Sequence, residues 1–249
     1  MNYGERAKKL LFYITLLTFG VSAVLLAVRL VVALVCDAEE QLLYSGYLLS
    51  LLQCALGIFA VFIPKLLHSK YGFKFPDWML ILYNIFLYCA IFLGEVRNYY
   101  INVPIWDDIL HGFSGVMAGF FAFMLISVAL RRSGKSQSAM PPLLVALFAF
   151  VFSVAIGALW EIYEFSLDAF LELNMQKYRE NDGTMLIGRE AVFDTMKDIV
   201  IDTIGALFAS TAGYFSMKRK GVTLSEDNTD SEGENSGTQI IESKDQNTK

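Results

Sequence analysis

Long apolar blocks alternate with short polar stretches along this chain of 249 residues. Each block is about 20 residues long, which is the length of helix needed to cross a hydrocarbon layer about 30 Å thick. The pattern therefore predicts an all-α polytopic membrane protein with six transmembrane helices. The predicted spans lie at about residues 10–35, 47–67, 78–94, 109–130, 143–165 and 199–217.

Lysine and arginine are distributed unevenly between the two sides of these spans. Twelve of them flank the spans on the side that holds both ends of the 1–220 transmembrane domain. The other side holds five, namely Arg97, Lys177, Arg179, Arg189 and Lys197. Because cytoplasmic loops collect these residues, we expect both termini to be cytoplasmic.

Composition supports this picture and excludes one class of partner. The hydrophobic content is 55% and the mean hydropathy is +0.47, whereas soluble domains have roughly 45–50% apolar residues. The net charge of -5 comes entirely from the last 29 residues. A basic nucleic-acid-binding protein is therefore excluded, and the lipid bilayer is the first expected partner.

Two polar segments lie outside the spans. Residues 221–249 have almost no large apolar side chains, which predicts a disordered acidic cytoplasmic tail whose partner is unknown. The external loop 168–197 mixes apolar and charged residues and contains the turn signal Asp182-Gly183. This loop predicts either a lid or a surface helix.

Ionisable residues collect at one end of three predicted spans. Such residues are costly at membrane depth, so they are functional candidates. Residues three or four apart share one face of a helix, and each of these spans carries one such stripe. The stripes are Asp107, Asp108 and His111 on the fourth span, Glu161, Glu164 and Asp168 on the fifth, and Asp194, Asp198 and Asp202 on the sixth. All lie at predicted external ends, so we expect one shared and shallow site.

So many carboxylates need a balancing positive charge, because like charges repel strongly at low dielectric. A divalent cation is the first solution: carboxylates suit magnesium, calcium or manganese, and an added imidazole admits zinc. The second is Arg29 in the first span, a candidate counter-ion at similar depth. The third is a relay of protonated carboxylates. The candidate metal ligands are Asp108, His111, Glu161, Glu164, Asp198 and Asp202.

Small residues recur on the fourth and sixth spans. The fourth carries Gly112, Gly115 and Gly119, and the sixth carries Gly205, Ala209 and Gly213. Small residues at four-residue spacing let membrane helices approach closely. We therefore expect these two spans to touch.

Three motifs in the same region carry a resemblance to known proteins. They are Asp108-x-x-His111, Trp160-Glu161-x-x-Glu164-Phe165 and Asp194-Thr-x-x-Asp198-x-x-x-Asp202-x-x-Gly205-Ala206. Over about residues 105–210 the chain resembles the YjdF-type family of bacterial inner-membrane proteins, a family of uncharacterised function. A looser similarity is to VanZ-like membrane proteins, which have Glu-x-x-Gln where this chain has Glu161-x-x-Glu164.

This resemblance implies a multi-pass protein of the bacterial plasma (inner) membrane. It also implies that six residues are important, and these are Asp108, His111, Glu161, Glu164, Asp198 and Asp202. The VanZ-like group is associated with resistance to glycopeptide antibiotics, which implies a role in the cell envelope.

The leading hypothesis is a site near the external face that binds a divalent cation and acts on, or binds, a lipid-linked or envelope substrate. In an enzyme, metal-assisted hydrolysis or transfer is the natural reaction class, with His111 or Glu161 as the catalytic proton shuttle. One alternative is a proton- or cation-coupled small transporter. The other is a non-catalytic membrane scaffold. The sequence leaves open whether the chain is an enzyme.

Overall fold

The computed structural model describes residues 3–35, 41–135, 140–180 and 182–245, and it describes side chains within 4–35, 46–135, 140–180 and 182–219. Within these ranges the backbone is almost wholly helical. The α-helices are α1 (Tyr3–Val35), α2 (Gln41–Tyr71), α3 (Asp77–Leu87), α4 (Tyr99–Asn102), α5 (Trp106–Arg132), α6 (Pro142–Leu171) and α7 (Phe193–Asp245). A π-helix (Tyr88–Val96) continues α3, and a 3-10 turn (Glu190–Val192) precedes α7.

The six predicted spans are confirmed. Six helical segments of the described chain are long and apolar enough to cross a membrane, and they are Gly4–Val35, Gly46–Tyr71, Asp77–Val96, Trp106–Arg132, Pro142–Leu171 and Glu190–Arg219. All six extend beyond the predicted bounds, because a helix can continue through polar flanks where hydropathy no longer marks it. The sixth begins nine residues earlier than predicted, which puts its acidic stripe on helical turns. The cytoplasmic location of both termini stays a prediction.

The backbone of α7 is helical as far as Asp245. The disordered acidic tail expected from residue 221 onward stays a prediction, and so does its solvation.

The six spans form two groups of three. In the first, α1 packs against α2, α3 and the π-helix. Its core holds the buried residues Phe19, Leu26, Cys54, Val61, Leu87 and Ile91. In the second, α5, α6 and α7 all pack against one another. That interface is built of small side chains, with Ala122, Ala149, Ala206 and Ala209 buried.

The predicted contact between the fourth and sixth spans is present as a close crossing of α5 and α7. A Cβ atom on Gly115 would lie 2.7 Å from the backbone oxygen of Asp202, and one on Gly205 would lie 2.7 Å from the backbone oxygen of Gly112. Both positions therefore require glycine for backbones to meet at this distance. The crossing sets α5 and α7 against each other beside the acidic stripes.

The π-helical turn ends the third span. π-Helical segments are rare and often occur at functional sites. This one carries Glu95, whose Oε1 accepts a hydrogen bond of 2.9 Å from Gln53 Nε2 on α2. The third span thus presents a polar pair at the end where the acidic stripes of α5 to α7 also lie.

Candidate functional site

The three predicted stripes converge at one end of the second helix group. The crossing of α5 and α7 and the packing of α6 against both turn the stripes toward one another. Their buried members have 1–8% of their surface exposed, and they are Asp107, His111, Glu161, Glu164, Asp168, Asp194, Asp198 and Asp202. The shared site expected from the sequence is therefore formed as a buried cluster.

The imidazole of His111 is oriented from one side by α7. Its Nδ1 lies 3.1 Å from Asp202 Oδ2, and Ser114 Oγ donates to Asp202 Oδ1 at 3.1 Å. With the proton assigned to Nδ1, this pair leaves Nε2 with its lone pair pointing away from Asp202. A carboxylate that holds one ring nitrogen in this way is the usual support of a metal-binding histidine.

The other ring nitrogen faces carboxylates from two helices, α5 and α6. His111 Nε2 lies 3.7 Å from Asp107 Oδ1 and 3.9 Å from Glu161 Oε1. One ligand atom each from Asp107, His111 and Asp198 lie within 4.8 Å of one another. This trio, with Glu161 beside it, forms the part of the cluster that could hold a cation.

Two of these carboxylates lack hydrogen-bond partners. Both oxygens of Asp198 and both oxygens of Glu161 are buried without a partner among the described residues. Asp198 is 1% exposed and Glu161 is 5% exposed. A buried polar group without a partner is costly, and a charged one more so. The cluster therefore has four oxygen atoms available to a cation or a proton.

The structure brings together some of the predicted ligands and gives others different contacts. His111, Glu161 and Asp198 face one another. Asp202 bonds the imidazole, and Glu164 Oε1 instead accepts a hydrogen bond of 2.9 Å from Trp160 Nε1.

Asp107 takes the place expected for Asp108. Asp108 Oδ1 lies 2.7 Å from Lys197 Nζ, so this carboxylate is ion-paired outside the trio. Successive helical residues point about 100° apart, and the packing of α5 turns Asp107, together with His111, toward Asp198 on α7. In the sequence, both residues lie within one helical turn of His111, but the sequence does not show how the helix is rotated in the folded protein.

The predicted external loop forms a lid over the cluster. The described residues on either side of position 181 fold back on each other, with Leu186 N donating to Tyr178 O at 3.0 Å and a bridge between Arg179 and Met185. Gly183 has a φ of +89° at its tip, as the turn signal indicated. The lid alternative is thus the one that the structure supports, and the stretch 172–189 contains no α-helix among its described residues.

Asp168 anchors this lid to the end of α6. Its carboxylate accepts hydrogen bonds from the backbone nitrogens of Met175 at 2.7 Å and Gln176 at 3.0 Å. The next residue, Lys177, has a φ of +48°. That left-handed conformation is strained for a residue with a side chain, and such strain persists where surrounding contacts hold it.

Lys177 brings a positive charge to the cluster. Its Nζ lies 2.7 Å from Asp107 Oδ2 and 3.0 Å from Asp194 Oδ1. Partial burial lowers the pKa of Lys177, but these two carboxylates outweigh that effect and leave its pKa above the ordinary value. The lid lysine is therefore cationic at neutral pH.

Arg29 is not brought into the cluster. It lies exposed on α1, in the first helix group, and forms no ion pair with the cluster as far as the structure describes it. Lys177 and Lys197 are the counter-ions of the carboxylates instead. Sequence reasoning missed them because a lysine in a polar loop or flank has no helical spacing that would mark it.

Glu95 is the other residue missed. It lies one residue beyond the predicted end of the third span, where a charge is normally read as part of the flank. An acidic residue at the end of an apolar block, near the acidic ends of other blocks, is the signal that could have found it.

The arrangement can supply two functions. The pair of His111 and Asp202 presents an oriented nitrogen, and the unpartnered carboxylates of Glu161 and Asp198 offer oxygen ligands or proton acceptors. Burial of these groups strengthens the charge interactions among them.

The chain is similar in sequence to known proteins. The chain is 28% identical over 123 residues to an uncharacterized protein of Thermotoga maritima, and that match covers 49% of this chain. It covers 53% of the relative, so the chain spans about half the length of that protein. No solved structure matches the chain. A family model described as "Predicted membrane protein (DUF2238)" matches residues 17–219. These residues include the whole cluster and all six spans, in whole or in part. The chain therefore belongs to that family.

Proposed function

We propose that Asp107, His111, Asp198 and Glu161 bind a divalent cation beneath the lid. The observation that carries this proposal is the trio of buried ligand atoms within 4.8 Å, beside a second carboxylate with no hydrogen-bond partner. The proposal extends the sequence hypothesis, with Asp107 in place of Asp108.

The donor set suits a cation. Two buried charged carboxylates destabilise the fold unless a cation or a proton offsets their charge. Lys177 and Lys197 approach Asp107, Asp108 and Asp194, so within the described part of the chain Asp198 and Glu161 have no ion pair with a lysine. Zinc accepts both imidazole and carboxylate ligands, and magnesium, manganese and calcium accept the carboxylates.

The cation would act on, or bind, a lipid-linked or envelope substrate. It would polarise an oxygen atom of the substrate, and Glu161, close to His111 and without a partner, would accept a proton from water. Metal-assisted hydrolysis or transfer is the reaction class that this set of residues serves. The site then faces the exterior of a bacterial inner membrane, as the charge distribution predicts.

The distribution of charge along the helices favours such a site over the two alternatives. Residues 112–130, 142–160 and 203–217 contain no Asp, Glu, Lys, Arg or His, so α5 to α7 offer no titratable relay from the cluster to the opposite face. A transporter would need such a path. A scaffold would satisfy its buried carboxylates, since unsatisfied ones weaken packing.

Metal analysis of the purified protein tests the proposal. Wild type, Asp198→Asn and a control, Asp182→Asn at the exposed tip of the lid, are purified with magnesium, manganese, zinc or calcium and measured by elemental mass spectrometry. We expect near-stoichiometric metal in wild type and control, and its loss in Asp198→Asn. The metal should also stabilise wild type by about 2.7 kcal/mol at a hundred times its dissociation constant. Wild type without any bound metal under all four conditions contradicts the proposal.

A further inference from the structure

A second feature of the molecule is an apolar cavity between the two helix groups. Its volume is about 280 Å³, close to the lower end of the roughly 300–1,000 Å³ of small-molecule sites. One wall comes from α2 and α3, with Ile63, Leu80 and Tyr83, and the other from α5 and α6. Tyr83 adds only its ring, because its hydroxyl donates to the Ala60 carbonyl at 2.8 Å.

Stacked aromatic rings close the cavity at the end away from the cluster. Phe75 and Phe121 both line it, with ring centroids 6.3 Å apart and an interplanar angle of 5°. Phe73 stacks on both of them. Because these rings come from the α2–α3 connection and from α5, they join the two helix groups at that end. The cavity is therefore a blunt-ended slot.

The opposite end of the slot meets the cluster. Ser114 lines the cavity, and its hydroxyl donates to Asp202 Oδ1, the carboxylate that also holds His111. One side chain thus belongs to both the apolar slot and the polar site. Ile156 also lines the slot, and 42% of its surface is exposed.

We propose that this slot binds a hydrocarbon chain of the lipid on which the cluster acts, with the polar head of the lipid at His111 and Asp198. The inference rests on the proposed function and names its substrate class as a lipid with at least one chain that inserts between α3 and α5. The slot lies within membrane-spanning segments, where the surrounding molecules are lipids, and its lining offers a chain only apolar contacts beyond Ser114. Because the chain comes from the bilayer, where lipid tails are as apolar as the lining, its binding depends on packing contacts in the slot and on the attachment of its head at the cluster.

Photo-crosslinking with a defined lipid tests this inference. The full chain is placed in nanodiscs with a phosphatidylglycerol that carries a diazirine at the end of one acyl chain, irradiated and mapped by peptide mass spectrometry. Ala118→Phe fills the slot from α5, and Leu80→Phe fills it from α3 should the first variant fold poorly. The matched control is Ala129→Phe, the same change at an exposed position of α5.

We expect labels on the slot-lining part of α5 in wild type and in Ala129→Phe. Labelling there should fall about tenfold or more in the filled variants, a loss of about 1.4 kcal/mol in binding, because the added phenyl ring occupies the space that the chain would fill. Equal labelling in wild type and filled variants, or label spread evenly over the outer helix faces, overturns the inference.

Metal content of the same samples separates this inference from the proposed function. Metal without slot labelling overturns the chain site and supports the cation site. Slot labelling without metal supports the chain site and overturns the cation site.

Discussion

Adding one methyl group at Gly115 should loosen the crossing of α5 and α7 and disturb the site at once. The Cβ atom of Gly115→Ala would lie 2.7 Å from the carbonyl oxygen and 3.2 Å from the Cα of Asp202. These are backbone atoms and cannot rotate away. The helices must separate by about 0.7 Å to restore ordinary contact at 3.4 Å.

The cost follows from overpacking. Extra methyl groups in a tightly packed interior destabilise proteins by about 1–3 kcal/mol. The same displacement moves Asp202 away from His111, whose bond of 3.1 Å is already near the upper limit of good geometry. Loss of that support should weaken metal binding by about 10–100-fold, the usual effect of removing the residue that orients a ligand.

Gly20→Ala is the matched control. It makes the same substitution within α1, where a Cβ atom would meet nothing within 4 Å. We expect it to keep or raise stability, by up to about 1 kcal/mol, because alanine is the better helix former. Equilibrium unfolding in mixed micelles, followed by tryptophan fluorescence, and metal titration measure both variants. Equal stability and equal metal affinity in the two variants would refute the reasoning.

Two further changes test the site. In Gly157→Ala the new Cβ atom would lie against Asp202 Oδ2, so we expect weaker metal binding in titrations with a smaller loss of stability, because a side chain can move; unchanged metal affinity would count against this role of Asp202. Lys177→Met should destabilise the fold by roughly 1–2 kcal/mol, less than the ~3–5 kcal/mol of a fully buried pair, because the lysine is 38% exposed. The pKa of Lys177 is raised by Asp107 and Asp194 despite burial, so its contribution is complete below the unfolded value of about 10.4 and is lost progressively as the pH rises from there through the raised pKa of the folded state. Thermal unfolding at pH 8 and pH 11 should therefore show a larger difference between wild type and variant at pH 8, and a difference independent of pH would exclude the ion pair as its cause.

The transmembrane architecture could be predicted from the sequence because hydropathy over 20-residue blocks reflects directly the solvent around each helix. The convergence of the acidic stripes could be predicted as well, since α5, α6 and α7 alternate in direction and carry their acids at alternate ends. The family match over residues 17–219 includes the stretch 105–210 that carried the YjdF-type resemblance. The VanZ-like similarity stays a prediction.

The choice of ligands within the cluster could not be predicted. Asp107 and Asp108 are adjacent, and the rotation of α5 relative to α7, which the glycine contacts fix, decides which of them lies beside Asp198. Lys177 was unpredictable for another reason, since a loop residue has no periodicity and reaches the cluster through the fold of the lid. The identity of the counter-charge is a tertiary property of the chain.

The position of Lys177 makes the lid and the charge of the cluster interdependent. Any movement that withdraws its ammonium group exposes Asp107 and Asp194 to each other without a shared cation. Opening the lid therefore separates the ammonium group of Lys177 from these two carboxylates, and the free-energy cost of that separation depends on the ionic strength of the solution. Since mobile ions screen exposed charges over about 8 Å at physiological ionic strength, salt becomes a physical control on access to the site from the water phase.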